Sequence, residues 1–245
     1  MSRRRALVLF TRSPEAEARA KGFREAHAAP LFRAFLESWV RLSRETATDL
    51  VVASPASCRR RLEASGVAPG GRFLTQARAA FGERLAAAAG EAFGLGYDSV
   101  VLVGGDAPAI GAGDLRRAFE AIESGAVALG PAGDGGAYLI GVDARDADLG
   151  RSLRLRDRRA LVRLRAAAAD RRRGVVLLPA RQEVDSALDA ARARRLAGAD
   201  PGWGPYRFLL DAALRPESPA SFADLRPGSA HRPLRRAPRG PPAAA

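Results

Sequence analysis

Three aspartates stand at the ends or edges of apolar runs in this chain. Asp106 closes VVLVGGD, Asp134 precedes the paired glycines of GPAGDGG, and Asp185 follows VVLLP. Carboxylate oxygens are hard ligands suited to Mg2+ or Mn2+. Such an ion offsets the negative charge that develops on a departing diphosphate. Gly104 and Gly105 let a ligand approach the backbone beside Asp106, and Pro108 stiffens the loop that leads away. Each acid also has a plainer use, since Asp106 and Asp134 suit turns and Asp185 suits the cap of a following helix. Lys21 is the only lysine among 40 Lys and Arg residues. A compact ammonium where the chain otherwise uses guanidinium suits a phosphate contact, the alternative being an ordinary surface lysine.

The elements that would position these residues are readable from hydrophobic pattern. ALVLF (6–10), DLVVAS (49–54), DSVVLVGGD (98–106), AVALG, AYLIGV and GVVLLP (174–179) are short apolar runs bounded by turn residues, as for strands buried on both faces of a sheet. Leu31, Phe32, Phe35, Leu36, Trp39 and Val40 recur at helical spacing. Further helices are predicted from about 78 to 93, over DLRRAFEAIESG up to Gly125, and last over 187–196. Strands alternating with helices predict an α/β fold, a mainly parallel sheet with helices on both faces, in which AYLIGV can pair antiparallel. Ligands of such sheets bind beyond the carboxyl ends of the strands, where GGDAP lies.

Composition excludes several other classes. A single cysteine, Cys58, leaves no intrachain disulfide and fits a reducing cytoplasm, and His27 and His231 are too few and too separated for a zinc cluster. The apolar run after MSRRR is too short for a signal-peptide core or a membrane span. The net charge of +13 is concentrated in residues 151–174 and 215–245, which together carry twelve of those charges. An almost all-Arg basic set in an Ala- and Gly-rich chain reads as compositional drift, so no specific nucleic-acid partner is expected. The stretch LGRSLRLRDRRALVRL reads as a solvated helix face rather than a grip for an anionic acceptor.

VVLVGGDAPAI, GPAGDGGAYLIG and LPARQEVDSALDAARARRL, in this order and spacing, resemble the small bacterial GT-A-type glycosyltransferases. These include transferases described as radical-SAM-associated or as arsenosugar-biosynthesis enzymes, within the nucleotide-diphospho-sugar transferase superfamily. TQARAAFGERLAAA, with Gln76 and Gly82-Glu83-Arg84-Leu85, extends the likeness, which covers roughly residues 6–197. The resemblance implies one GT-A-like domain over 1–214. It also implies Asp106 as principal metal ligand with Asp185 completing the site, Mg2+ or Mn2+ as cofactor, and a nucleoside-diphosphate sugar as donor.

Asp134, Gly135 and Gly136 would line the donor or acceptor pocket, beside Gly104, Gly105 and Ser54. The family's Pro-Gly loop with Lys-Thr-Arg-Leu is replaced here by TRSPEAEARAKGF, which offers Arg12, Arg19 and Lys21 to the donor phosphates. Asp134 and Asp189 are the candidate general bases. The expected activity is metal-dependent glycosyl transfer to an acceptor that the resemblance does not specify, and no oligomeric state is implied. Two other readings are nucleotidyl transfer of the guanylyltransferase type and a non-catalytic nucleotide-binding relative.

Residues 215–245 combine Pro, Arg, Ala and Ser with few apolar side chains, too few to offset the entropy of ordering the chain. A disordered tail is expected. Deleting it should leave the melting temperature unchanged in a calorimetric scan, whereas a drop of more than a few degrees would show that it packs on the domain.

Overall fold

The computed structural model describes residues 3–67, 72–108 and 110–215. A compact unit spans Met1–Arg215, and the tail expected from residue 215 lies, Arg215 apart, outside the described residues.

The apolar runs form a seven-stranded sheet. In chain order its strands are β1 (Arg5–Phe10), β2 (Asp49–Ser54), β3 (Arg72–Thr75), β4 (Ser99–Gly104), β5 (Val127–Pro131), β6 (Ala137–Val142) and β7 (Val175–Leu177). Across the sheet they run β3-β2-β1-β4-β6-β5-β7. β1 lies between β2 and β4 and is parallel to both. β6 is antiparallel to its neighbours β4 and β5, as its sequence allowed, while β7 returns parallel to β5. The carboxyl ends of β1 and β4 therefore open on one edge, and the loops that follow them meet there.

Alternation along each strand divides the core. Leu7, Leu9, Val101 and Val103 face a layer with Leu36 and Trp39 of α2 (Glu25–Glu45) and Leu115 and Phe119 of α5 (Ala112–Glu123). Ala6, Val8, Val100 and Leu102 face the other layer, with Leu85, Ala88, Ala89 and Ala92 of α4 (Phe81–Gly94) and Leu164 of α6 (Ala160–Asp170). α4 begins later than its Ala-rich composition predicts, because Glu83 accepts from the Ala80 amide at 3.2 Å and so sets the helix start at Phe81. Both α1 (Pro14–Ala20) and α3 (Arg59–Ala64) are short helices without a full apolar stripe.

The helix expected over 187–196 forms as α7 (Ala187–Leu196), but it is not the last. α8 (Arg207–Ala213) follows, a seven-residue helix too short to show periodicity. It is held by an aromatic cluster in which Phe35 meets Trp203 at 5.9 Å and Tyr206 at 5.0 Å, ring centre to ring centre. Of the arginine-rich stretch, α6 exposes Arg163; beyond that stretch, partly buried Arg173 pairs with Asp143 at 2.6 Å and Asp146 at 2.7 Å. Among the described residues no helix is long and apolar enough to cross a membrane.

Trp39 links this core to the loop after β4. Its ring is fully buried and its Nε1 donates to the Ala107 carbonyl at 3.1 Å. Trp39→Phe keeps an aromatic ring but leaves that carbonyl without its donor. A loss of about 1–3 kcal/mol is expected in urea unfolding followed by circular dichroism; an unchanged midpoint would show that the contact does not anchor the loop.

Candidate active site

The loop after β4 turns sharply because two glycines are packed tightly against it. A Cβ on Gly105 would lie 2.2 Å from Thr11 Oγ1 and 2.8 Å from Leu36 Cδ2, and one on Gly104 would lie 2.5 Å from Asp106 Oδ1. Only glycine lets the end of β4 sit against the end of β1 while the Asp106 carboxylate folds back over the strand. The Asp106 carbonyl then accepts from the Val184 amide at 3.0 Å, which ties the β4 loop to the segment before α7. Asp106 and Asp185 are thereby brought side by side from positions far apart in sequence.

A single ammonium joins them. Lys21 Nζ donates to Asp106 Oδ2 at 2.8 Å and to Asp185 Oδ1, and lies 3.5 Å from Glu17 Oε1. Lys21 ends α1, where its amide bonds back to the Glu17 and Arg19 carbonyls, so the one-turn spacing to Glu17 follows from the helix itself. Burial opposes its charge, but Asp106, Asp185 and Glu17 outweigh that penalty and hold its pKa above the usual lysine value. The other oxygen of Asp106, Oδ1, is buried and has no hydrogen-bond partner.

Glu183 completes the acidic edge. Its carboxyl is pushed well above the usual range, first by burial and then by the charges of Asp106 and Asp185, with Lys21 acting the other way. Sequence reading passed over Glu183 because it lies between the β7 strand and the Asp185 motif, with no turn or cap signal of its own. Among the described residues, no three His, Cys, Asp or Glu side chains form a ready metal cage.

This edge borders a cavity of about 210 Å³. Gly104, Gly105, Asp106, Asp185, Glu183 and Lys21 line one side; Asp134 and Gly136 lie on its rim beside Tyr138, whose hydroxyl donates to the Pro179 carbonyl at 3.0 Å. Asp134 is exposed, and its Oδ1 accepts from the Gly136 amide at 2.8 Å, so it closes a turn and faces the cavity at once.

Basic and aromatic side chains also line the cavity. Arg12 pairs with Glu17 at 3.1 Å, and the Arg84 guanidinium lies 5.7 Å from each of the Phe10 and Phe81 ring centres. Arg84 Nη1 donates to Gln76 Oε1 at 2.9 Å, and Gln76 Nε2 donates to the Ala53 carbonyl, while Arg84 Nε is buried without a partner. Burial, and then the nearby Arg12 charge, lower the Arg84 pKa. Arg154, Arg156 and Leu155 from the loop before α6 also line this cavity, so that stretch is not solely a solvated face.

Four expected site residues are not among those lining the cavity. Asp189 accepts from the Ser186 hydroxyl at 2.7 Å and donates its own amide to Ser186 Oγ, so it serves the N-terminus of α7, whose cap is Ser186 and not Asp185. Ser54 is buried and its carbonyl takes the Gln76 amide, which fixes Gln76 rather than a ligand. Gly135 has φ +91°, and a Cβ there would meet the Arg158 carbonyl at 2.2 Å, so its role is a close approach of the loop before α6. Arg19 pairs with Glu25 away from this lining.

Residues 39–154 match the model of a family described as "Uncharacterized protein conserved in bacteria (DUF2064)". No curated protein matches. Among solved structures, a proposed nucleotide-diphospho-sugar transferase from Desulfovibrio desulfuricans G20 is 24% identical, covering 84% of this chain and 96% of that one, with a TM-score of 0.69. The fold is GT-A-like. A nucleotidyl transferase from Methanothermobacter is similar at 16% identity, 78% and 96% coverage and a TM-score of 0.52. A cytidylyltransferase from Leptospira borgpetersenii is similar at 11% identity, 88% and 98% coverage and a TM-score of 0.54.

An acid whose pKa rises on folding binds its proton more tightly in the folded state, so stability falls as pH climbs from the ordinary glutamate range through the raised value. For Glu183 this sets the direction of a test. Glu183→Gln should flatten the decline of melting temperature with rising pH and melt higher than the parent under alkaline conditions. Equal slopes in the two proteins would show that the Glu183 carboxyl is not held in its protonated form.

Proposed function

We propose that this chain is a glycosyltransferase of the small bacterial GT-A type, taking a nucleoside-diphosphate sugar as donor and using Mg2+ or Mn2+. The observation that carries this reading is the meeting of Asp106 and Asp185 on one cation position at the edge of a cavity. Their oxygens fit a hard divalent ion, and the unpartnered Asp106 Oδ1 supplies a free lone pair for it. With only two such carboxylates, the remaining ligands of that ion would come from water and the diphosphate. When bound, the ion would neutralise the charge on the leaving group.

The residues of the chain supply the rest. An acceptor oxygen attacks the anomeric carbon, the bond from that carbon to the diphosphate oxygen breaks, and the bonding pair leaves with the nucleoside diphosphate. The acceptor proton passes to Asp134, an exposed carboxylate on the cavity rim. Arg12 and Arg84 add positive charge to the cavity lining, where anionic parts of the substrates would lie, and the Arg84 guanidinium sits 5.7 Å from both the Phe10 and Phe81 ring centres. The reading places the protein in the cytoplasm, in keeping with its lone cysteine. The domain would end near residue 214, with the tail beyond it dispensable.

Calorimetric titration with nucleoside diphosphates, diphosphate sugars and nucleoside triphosphates, with and without manganese, tests this assignment. Manganese-dependent binding of a diphosphate or its sugar is expected, abolished by Asp106→Asn and weakened less by Asp185→Asn, whose amide oxygen still coordinates. Asp134→Asn should retain binding and lose turnover. Binding of triphosphates alone would transfer the assignment to nucleotidyl transfer, and no nucleotide binding would refute both.

A further inference from the structure

The Lys21 ammonium and a divalent ion on Asp106 and Asp185 claim the same space. The Lys21 side chain is 4% exposed, and its charge is spread over three carboxylates from three parts of the chain: Glu17 one helical turn earlier, Asp106 after β4 and Asp185 before α7. Oxygen ligands lie at about 2.0–2.6 Å from Mg2+, Mn2+-sized or larger hard ions. An ion at that distance from Asp106 Oδ2 and Asp185 Oδ1, the oxygens that face each other across Lys21, would stand where the ammonium now stands, and the two cations repel.

The identity of the residue is informative. Arginine supplies every other positive side chain apart from the histidines, yet here the chain uses its only lysine. A guanidinium is a planar fork suited to one bidentate carboxylate, whereas an ammonium presents three donors around a point. Lys21 has three acceptor groups to serve, and an ammonium on a flexible stem also leaves a site more readily than a stacked guanidinium does.

We propose that Lys21 is the resident cation of this site in the free protein, holding Asp106 and Asp185 together and excluding divalent ions until a diphosphate draws the ammonium onto its own oxygens. The idea rests on the assignment of the two aspartates as metal ligands. It makes metal and diphosphate binding mutually dependent, since each vacates or fills a place that the other needs. The neighbouring Glu17 keeps the stem of α1 beside the site and shares its other oxygen with Arg12, so a displaced ammonium has an adjacent cation with which to face the same anion.

The test uses manganese alone, with no nucleotide, on the full chain and on Lys21→Met. Removing one positive charge a few ångströms from the site should tighten manganese binding by about tenfold or more, read by titration calorimetry or by the loss of the free-ion paramagnetic resonance signal. Lys21→Met/Asp106→Asn should return to the parent affinity. If Lys21→Met binds manganese no more tightly than the parent, the proposal is overturned. Should that variant fail to fold in chelator, manganese is expected to restore its circular dichroism, and failure to do so also overturns it. The assignment of the reaction fails separately, as absent nucleoside-diphosphate binding to the parent protein with manganese, so the two outcomes are distinguishable.

Discussion

One buried ammonium lets the carboxyl edge of this sheet carry its acids. Asp106, Asp185, Glu17 and Glu183 lie within a few side-chain lengths of one another, and like charges this close would drive the loops apart or protonate without a counter-charge. Lys21 supplies it from the end of a short helix that packs Ala16 and Ala18 into the core. α1 is seven residues long, is anchored by Ser13 at its start, and ends with the lysine turned inward beneath Phe32, whose ring centre is 5.9 Å from Nζ. Breaking such an arrangement by removing one partner costs far more than replacing the whole set with apolar groups. A chain that keeps it therefore retains charge where a simple core would be more stable.

The sheet gives this cluster its rigidity. β1 and β4 lie side by side and parallel over six register pairs, so the loops that carry Thr11 and Gly105 leave the sheet together. Gly105 fits against Thr11 only without a side chain, and Trp39 clamps the next residue but one through the Ala107 carbonyl. The antiparallel β6 then presents Asp134 and Gly136 from the same edge although its chain direction is reversed, because its start lies where its neighbours end. One cavity thus gathers residues from six separate segments of chain.

Much of this was legible in the sequence, for identifiable reasons. Buried parallel strands are continuous apolar runs, so the runs of β1, β4 and β5 also marked where the loops carrying Arg12, Asp106 and Asp134 leave the sheet, whereas the run expected over 174–179 forms only a three-residue edge strand with Leu177 exposed, and no residue of the loop after β2 lines the cavity. The sixth, AYLIGV, was legible as a strand and open in direction. What escaped was set by tertiary contact. β3 is four residues long, and α8 has no stripe of its own and depends on Phe35, Trp203 and Tyr206 meeting in space. In the site, Asp106, Asp134 and Asp185 stood out by motif, whereas Glu183 and the Arg84 wall have no local pattern and appear only when α4 and the β7 loop face the same cavity. Asp189 and Ser54 illustrate the converse: both carry suitable atoms, and both spend them on the backbone and cap bonds that hold α7 and Gln76.

The central claim is that Asp106 and Asp185 share one cation position, held by Lys21 in the free protein. Diffraction from crystals grown with manganese and a nucleoside diphosphate, recorded at a wavelength where manganese scatters anomalously, tests it directly. The account predicts an anomalous peak between the two carboxylates, with an oxygen of each at about 2.0–2.6 Å and the ammonium moved onto the diphosphate. Manganese and nucleotide bound with Lys21 still bridging Asp106 and Asp185 would contradict it.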